Sequence, residues 1–161
     1  MGVDPKLGRF YCWYDYPTSV KPTSTQKWHR DNDDISFFKI FIALEKINEN
    51  NGAHCFIKKT HNRGKLHKLK GYNSTKYNTF KVFEEDQLFK FISPELKTVA
   101  NSNFGTTIFE DTSGIHRGIK PIKKSRLILS FEYFSRLSPH FVEFKIEDEN
   151  SFEYFQIKAL Q

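Results

Sequence analysis

The feature that most limits the fold is a series of short segments rich in aromatic and β-branched residues. The clearest is residues 125–135, Ser-Arg-Leu-Ile-Leu-Ser-Phe-Glu-Tyr-Phe-Ser, which predicts a long strand. Residues 36–46 are apolar on both faces and predict a central strand. Phenylalanine supplies 17 of the 161 residues, a composition that suits a β-rich core better than a helix bundle.

Shorter segments with the same character predict further strands at 9–16, 26–31, 53–58, 95–101 and 105–110. The Asn-Gly turn signal at 49–52 predicts that the strand at 53–58 returns against 36–46 as a hairpin. One helical patch is expected, at 84–91. Many strands and turns with minor helical elements indicate an all-β fold, and the jelly roll of the cupins fits the strand count best.

The length allows one domain over residues 1–161. We expect a jelly-roll, cupin-like barrel over about 9–135 and a C-terminal extension at 136–161 that packs against its outside. Cys12 and Cys55 are too few for a disulfide scaffold or a cysteine-based metal site. No apolar run approaches a membrane span, and the first residues form no signal peptide, so we expect a cytoplasmic protein without a membrane partner.

The stretch 58–81 carries many lysines and no acidic residue, and it has little periodicity. It predicts a long, solvated loop that is mobile or lies across the mouth of the barrel. Tyr72, Tyr77 and Phe80 lie among the basic residues, so a module that binds nucleic acid or another polyanion is an alternative function. A solvated loop is the commoner explanation, and we do not expect nucleic acid as a partner.

His29 and Asp31 lie in Trp28-His29-Arg30-Asp31-Asn32-Asp33-Asp34. If this segment is extended, both side chains project from the same face, because strand side chains alternate. An imidazole beside a carboxylate makes two thirds of the 2-His-1-carboxylate set that holds non-haem Fe(II) and leaves positions open. The His-x-Asp pattern is weak by itself, since chance and ordinary surface pairing explain most instances.

Several segments, in order and spacing, resemble the phytanoyl-CoA dioxygenase family. They are Trp-His-Arg-Asp-Asn-Asp-Asp at 28–34, Phe-Lys-Ile-Phe-Ile-Ala-Leu at 38–44, Asn-Asn-Gly-Ala-His at 50–54 and Asp-Thr-Ser-Gly-Ile-His-Arg-Gly at 111–118. The spacing from His116 to Arg126-Leu127-Ile128-Leu129 also resembles that family. The resemblance covers roughly residues 9–135. It implies an Fe(II)- and 2-oxoglutarate-dependent dioxygenase on a double-stranded β-helix.

The resemblance implies that His29, Asp31 and His116 are the iron ligands. It implies that Arg126 pairs with the far carboxylate of 2-oxoglutarate, a task that suits the planar guanidinium fork. The partners would be O2 and a small organic molecule that becomes hydroxylated, and the basic loop mildly favours an anionic one. A metal-binding β-barrel without turnover is the other alternative.

Lys39 stands alone among apolar residues at 37–44, where an unpaired ammonium would be costly to bury. One alternative is that its ammonium group reaches the edge of the sheet or a nearby Asp. The other is that it binds an anion inside the barrel, such as a 2-oxoglutarate carboxylate or a charged group of the substrate. Asp33 and Asp34 predict a solvated turn. Asp111 either forms a turn or orients His116. His54 is expected to be an ordinary core or surface histidine.

Overall fold

The computed structural model describes residues 4–61 and 81–135. These ranges contain one short helix, α1 (Glu85–Leu88), and nine strands: β1 (Lys6–Asp15), β2 (Trp28–Arg30), β3 (Phe37–Ala43), β4 (His54–Ile57), β5 (Lys81–Phe83), β6 (Lys97–Ala100), β7 (Thr107–Glu110), β8 (His116–Gly118) and β9 (Arg126–Phe134). Short 3-10 helices occupy Ser24–Gln26, Glu49–Asn51 and Pro94–Leu96. Residues 62–80 of the predicted basic loop and the predicted extension 136–161 lie outside the described residues.

The strands form two antiparallel sheets, ordered β1-β9-β3-β7 and β5-β2-β8-β4-β6. This arrangement confirms the all-β jelly-roll class, although the described strands make two sheets and no closed ring of hydrogen bonds. Sequence patterns located seven of the nine strands. They missed β5 and β8, which have three residues each and are too short to show a period.

The predicted hairpin between residues 36–46 and 53–58 is wrong. β3 pairs with β7 and β9, whereas β4 pairs with β6 and β8 in the other sheet. The connection forms a 3-10 turn because Asn48 Oδ1 accepts from the Asn50 N–H at 2.9 Å, while Asn51 Oδ1 accepts from the Asn48 N–H at 2.6 Å. Gly52 ends that turn at φ +95°, a left-handed conformation that glycine tolerates. The Asn-Gly signal therefore marks a crossover between the sheets.

The larger apolar cluster lies on the side of the second sheet that faces away from the first. It contains Trp28, Cys55, Ile57, Leu88, Ile92 and Ile115. Trp28 is 1% exposed, and the Arg117 guanidinium stacks 4.4 Å from its ring centroid. His29, next to Trp28 in β2, must then point into the space between the sheets, because side chains alternate along a strand.

Strand β9 directs polar side chains into the same space. Arg126, Ser130 and Glu132 are buried, and together with Ile128 they line one pocket between the sheets. Alternation within residues 125–135 predicts that Leu127, Leu129 and Phe131 form the face opposite Arg126 and pack against the core. Phe131 is 2% exposed, but Leu127 and Leu129 are only half-buried, because they lie on the outer surface of the first sheet. Alternation grouped these residues correctly, but the face opposite Arg126 is the outer surface of the first sheet and not the core-packing face that was expected.

The acidic turn after β2 is not solvated as predicted. Asp34 is 9% exposed, and its Oδ2 accepts hydrogen bonds from the Ser135 N–H at 3.1 Å and the Ser135 hydroxyl at 2.9 Å. Asp33 Oδ1 accepts from Arg9 Nη1 at 3.1 Å. The turn packs against the end of β9 and the start of β1, so distant residues supply partners that the local pattern does not reveal.

Cys12 is exposed, Cys55 is buried, and both are free thiols. Among the described residues, no helix has the length and apolar character needed to cross a membrane.

Candidate metal centre

His29, Asp31 and His116 come together between the two sheets. β2 pairs with β8 so that His29 lies opposite His116 in the ladder. Asp31 follows β2, and its N–H donates to the Thr112 carbonyl at 2.9 Å. His29 Nε2 lies 3.6 Å from Asp31 Oδ1, and His116 Nε2 lies 3.5 Å from Asp31 Oδ2. The donor atoms of the three residues all lie within 4.8 Å of one another, as the His-x-Asp spacing and the family resemblance predicted.

Backbone carbonyls hold both imidazoles in one tautomer. His29 Nδ1 lies 2.8 Å from the Lys27 carbonyl, and His116 Nδ1 lies 3.0 Å from the Gly114 carbonyl. A carbonyl oxygen only accepts, so each Nδ1 must carry the proton. Each Nε2 then presents its lone pair toward Asp31, which is the arrangement that metal-ligating histidines adopt.

The protonation states also suit a cation. Burial, with the nearby His116, lowers the pKa of His29 to about 4, and burial lowers the pKa of His116 as well. Burial alone would raise the pKa of Asp31, but His116 and Lys39 hold that pKa below its ordinary value. Near neutral pH the cluster therefore offers two neutral nitrogens and one carboxylate.

This donor set fits a divalent first-row metal, which takes imidazole and carboxylate ligands at about 2.0–2.2 Å. Two ligand atoms at that distance from a metal, with an angle of about 90° at the metal, lie about 3 Å apart. The separations of 3.5 and 3.6 Å need only a small adjustment to reach this geometry.

Lys39 lies beside the cluster and pairs with carboxylates of the chain. Its Nζ is 2.8 Å from Asp31 Oδ2, 2.5 Å from Glu132 Oε1 and 3.5 Å from Asp33 Oδ2. Burial alone would lower the pKa of Lys39, but Asp31 and Glu132 raise it well above its ordinary value. The pairing with a nearby Asp is thus present in the structure, and a direct role for Lys39 in binding a cofactor stays a prediction.

A second acidic residue contacts the cluster, and the sequence analysis missed it. Glu110 Oε2 forms a short hydrogen bond with His54 Nε2, and Glu110 Oε1 lies 3.8 Å from His116 Nδ1. Asp111, the residue considered as an orienter, instead accepts from the Ser113 N–H at 3.0 Å and forms the turn. A lone acid at the end of the apolar strand β7 was the available signal for Glu110, since the same reasoning singled out Lys39.

Arg126 points between the sheets, on the face shared with Ile128 and Ser130, as alternation along the predicted strand at 125–135 requires. Its Nη1 donates to the Gly52 carbonyl at 2.6 Å, and its Nε donates to Asp15 Oδ2 at 3.0 Å. Gly118 makes room for the guanidinium, because a Cβ there would lie 2.9 Å from Nη1 and 3.0 Å from Nη2. Arg126, Asp15 and the three clustered residues line the same pocket.

Comparisons with known proteins find likeness at the level of structure. No protein-family model matches the chain, and no curated protein is significantly similar to it. The solved structures that are similar to this chain include the non-heme monooxygenase ThoJ in its apo form, HygX from Streptomyces hygroscopicus with nickel and 2-oxoglutarate bound, and EvdMO1.

The match to ThoJ has a TM-score of 0.59 at 14% identity, over 99% of this chain and 65% of ThoJ. The match to HygX has a TM-score of 0.57 at 14% identity, over 89% of this chain and 61% of HygX. The match to EvdMO1 has a TM-score of 0.52 at 17% identity, over 84% of this chain and 28% of EvdMO1. This chain thus spans between 28% and 65% of the lengths of these proteins. At such identities the likeness concerns the fold, and the chain shares the jelly-roll β fold of these proteins.

Proposed function

We propose that this chain is an Fe(II)- and 2-oxoglutarate-dependent oxygenase that hydroxylates a small organic molecule. The observation that carries the proposal is the buried cluster of His29, Asp31 and His116, whose donor atoms lie within 4.8 Å of one another. This is a 2-His-1-carboxylate set, the arrangement typical of non-haem Fe(II) oxygenases. The motifs that resemble the phytanoyl-CoA dioxygenase family support this type of oxygenase.

Four residues of the pocket have assigned roles in this proposal. His29, Asp31 and His116 hold the iron, and Arg126 binds the far carboxylate of 2-oxoglutarate by a charge-assisted contact. Iron and 2-oxoglutarate, when bound, supply the O2-dependent oxidation that puts a hydroxyl group on the substrate. The protein supplies binding, orientation and a partly dry pocket. HygX, which has this fold, binds nickel and 2-oxoglutarate, and this supports the assignment of the cofactors.

The substrate class that we propose is a small anionic molecule. Lys58 and Lys59, at the start of the basic stretch 58–81, are exposed, and Lys58 lines a second pocket that shares His54 with the pocket of the metal cluster. Exposed cations near a pocket favour the approach of an anion, and this steering weakens with added salt.

The direct test is turnover of 2-oxoglutarate. We expect the purified protein with Fe(II), ascorbate and O2 to convert 2-oxoglutarate to succinate, measured by chromatography. The reaction should stop when Fe(II) is chelated, because the metal is required for the oxidation. If the protein loaded with Mn(II) binds no 2-oxoglutarate in calorimetry, the oxygenase proposal is wrong. Binding without succinate formation would instead indicate a metal-binding barrel that does not turn over.

Replacing Arg126 by alanine should weaken 2-oxoglutarate binding about ten- to a hundredfold, because a charged hydrogen bond contributes about 1.5–3 kcal/mol. Mn(II) affinity should not change, since Arg126 contacts none of the three clustered residues in the structure. Arg126→Lys should recover only part of the loss, because an ammonium lacks the planar fork. Calorimetry with the Mn(II)-loaded protein measures these changes.

Lys123→Ala provides the control for this experiment, because Lys123 is an exposed cation and its removal changes the net charge by the same amount. An Arg126→Ala protein that keeps the wild-type dissociation constant for 2-oxoglutarate would refute the role of Arg126.

A further inference from the structure

We propose that Asp15 competes with the co-substrate for Arg126 and thereby sets the affinity of the pocket for dicarboxylates. This inference rests on the proposed function, in which Arg126 receives the far carboxylate of 2-oxoglutarate. The observation behind it is that the guanidinium is already engaged with a carboxylate of the chain itself. Nε and Nη2 of Arg126 both donate to Asp15 Oδ2, and Nη1 donates to the Gly52 carbonyl.

All three guanidinium nitrogens therefore have a partner in the protein. A guanidinium carries five N–H groups, and these three bonds use three of them. A second carboxylate can therefore bind only through the two that remain, close to Asp15, unless Asp15 gives up its place. It must also approach the negative charge of Asp15, and like charges repel strongly in a partly desolvated pocket. Asp15 should therefore lower the affinity of the pocket for a ligand that places a second carboxylate at Arg126.

The two members of the pair differ in their freedom to move. The Arg126 side chain is 11% exposed and packs against the backbone of Gly118. Its Nη1 donates a buried hydrogen bond to the Gly52 carbonyl. Asp15 is the last residue of β1, and its side chain is 22% exposed. Residues 16–23, which follow, belong to no helix or strand. Asp15 can therefore rotate toward solvent while Arg126 stays in position.

This arrangement predicts that removing the charge of Asp15 improves binding of dicarboxylates. Asp15→Asn keeps the size of the side chain and an oxygen that can accept from Arg126, so the fold should be kept. We expect the dissociation constant of 2-oxoglutarate to fall about tenfold, equal to about 1.4 kcal/mol. The constant for pyruvate, which is also a 2-oxo acid but lacks the far carboxylate, should not change.

The experiment is calorimetry of 2-oxoglutarate and pyruvate with Mn(II)-loaded wild-type, Asp15→Asn, Arg126→Ala and double-variant proteins. In the Arg126→Ala background, Asp15→Asn should give a clearly smaller gain, because the competition for the guanidinium is gone and only the repulsion between carboxylates is relieved. Asp86→Asn is the matched control, since Asp86 is exposed on α1 and its change removes the same charge. Melting temperature and Mn(II) affinity report whether each variant is intact.

The inference is overturned if Asp15→Asn leaves 2-oxoglutarate binding unchanged or weakens it, because weaker binding would mean that Asp15 holds Arg126 in place for the ligand. An equal gain for pyruvate would also overturn it, since that gain would reflect the general charge of the pocket. If neither protein binds 2-oxoglutarate, the proposed function fails and this inference fails with it. If both proteins bind 2-oxoglutarate equally well, the proposed function stands and only this inference fails.

Discussion

Replacing His116 by alanine should lower the affinity of the protein for Mn(II) by more than about a hundredfold, because loss of outer partners of metal ligands already costs about 10–100-fold. His116 provides one of the two imidazole nitrogens, and its Nε2 lies 3.5 Å from Asp31 Oδ2. The remaining His29 and Asp31 form an incomplete set that keeps only two protein ligands. Paramagnetic resonance of Mn(II), which separates the free from the bound ion, measures the affinity directly.

The matched control is His61→Ala, because His61 is an exposed histidine at the edge of the described residues and does not belong to the cluster. His116→Gln guards against a folding defect, since it keeps much of the buried volume but lacks the imidazole donor. Wild-type Mn(II) affinity in a folded His116 variant would show that the cluster is not the metal site.

Replacing Lys39 by methionine should destabilise the protein by about 3 kcal/mol, because removal of one partner from a buried ion pair typically costs about 3–5 kcal/mol. The Lys39 ammonium lies within 2.8 Å of Asp31 and 2.5 Å of Glu132, and its side chain is only 11% exposed. Methionine fills a similar volume but leaves these two carboxylates facing each other without the intervening charge. Urea unfolding of the metal-free protein measures the change in the free energy of unfolding.

Lys27→Met is the control for the lysine change, because Lys27 pairs with Glu84 at 3.2 Å while both side chains are largely exposed. Such a pair contributes about 0–1 kcal/mol. The double variant Lys39→Met with Glu132→Gln should lose less stability than the sum of the single variants, since it also removes one of the repelling carboxylates. A Lys39→Met protein no less stable than Lys27→Met would contradict the assignment of Lys39 as the counter-charge of the cluster.

The division of apolar and polar packing explains why a buried charged site can exist in so small a protein. The larger apolar cluster packs on the outer side of the second sheet, under α1, so it stabilises that sheet without filling the space between the sheets. A smaller cluster of Ala43, Ile47, Ala53 and Ile128 joins the sheets near Arg126. The space that is left holds the imidazoles, the carboxylates and their cations, each with partners that offset the cost of burial.

Local pattern predicted which side chains of the candidate site share a face of their strand. The alternation of strand side chains placed His29 and Asp31 on one face, and it placed Arg126 with Ile128 and Ser130 on another. These predictions succeeded because the period of a strand is a property of the backbone and does not depend on the partner strand. The all-β class followed from the same periodicity, repeated between turns.

The tertiary structure alone decided which strands pair and which face of each strand is inside. It separated β3 from β4, although their connection carries a hairpin signal, and it paired β2 with β8 so that His29 meets His116 across 87 positions of sequence. It also brought Glu132 and Asp15 to the pocket and Glu110 to His116, although none of the three had a local signature comparable to His-x-Asp. The physical reason is that pairing and burial depend on contacts between distant segments. A short stretch of sequence determines which of its side chains share a face of the strand. The partners that these side chains meet are determined by the whole chain.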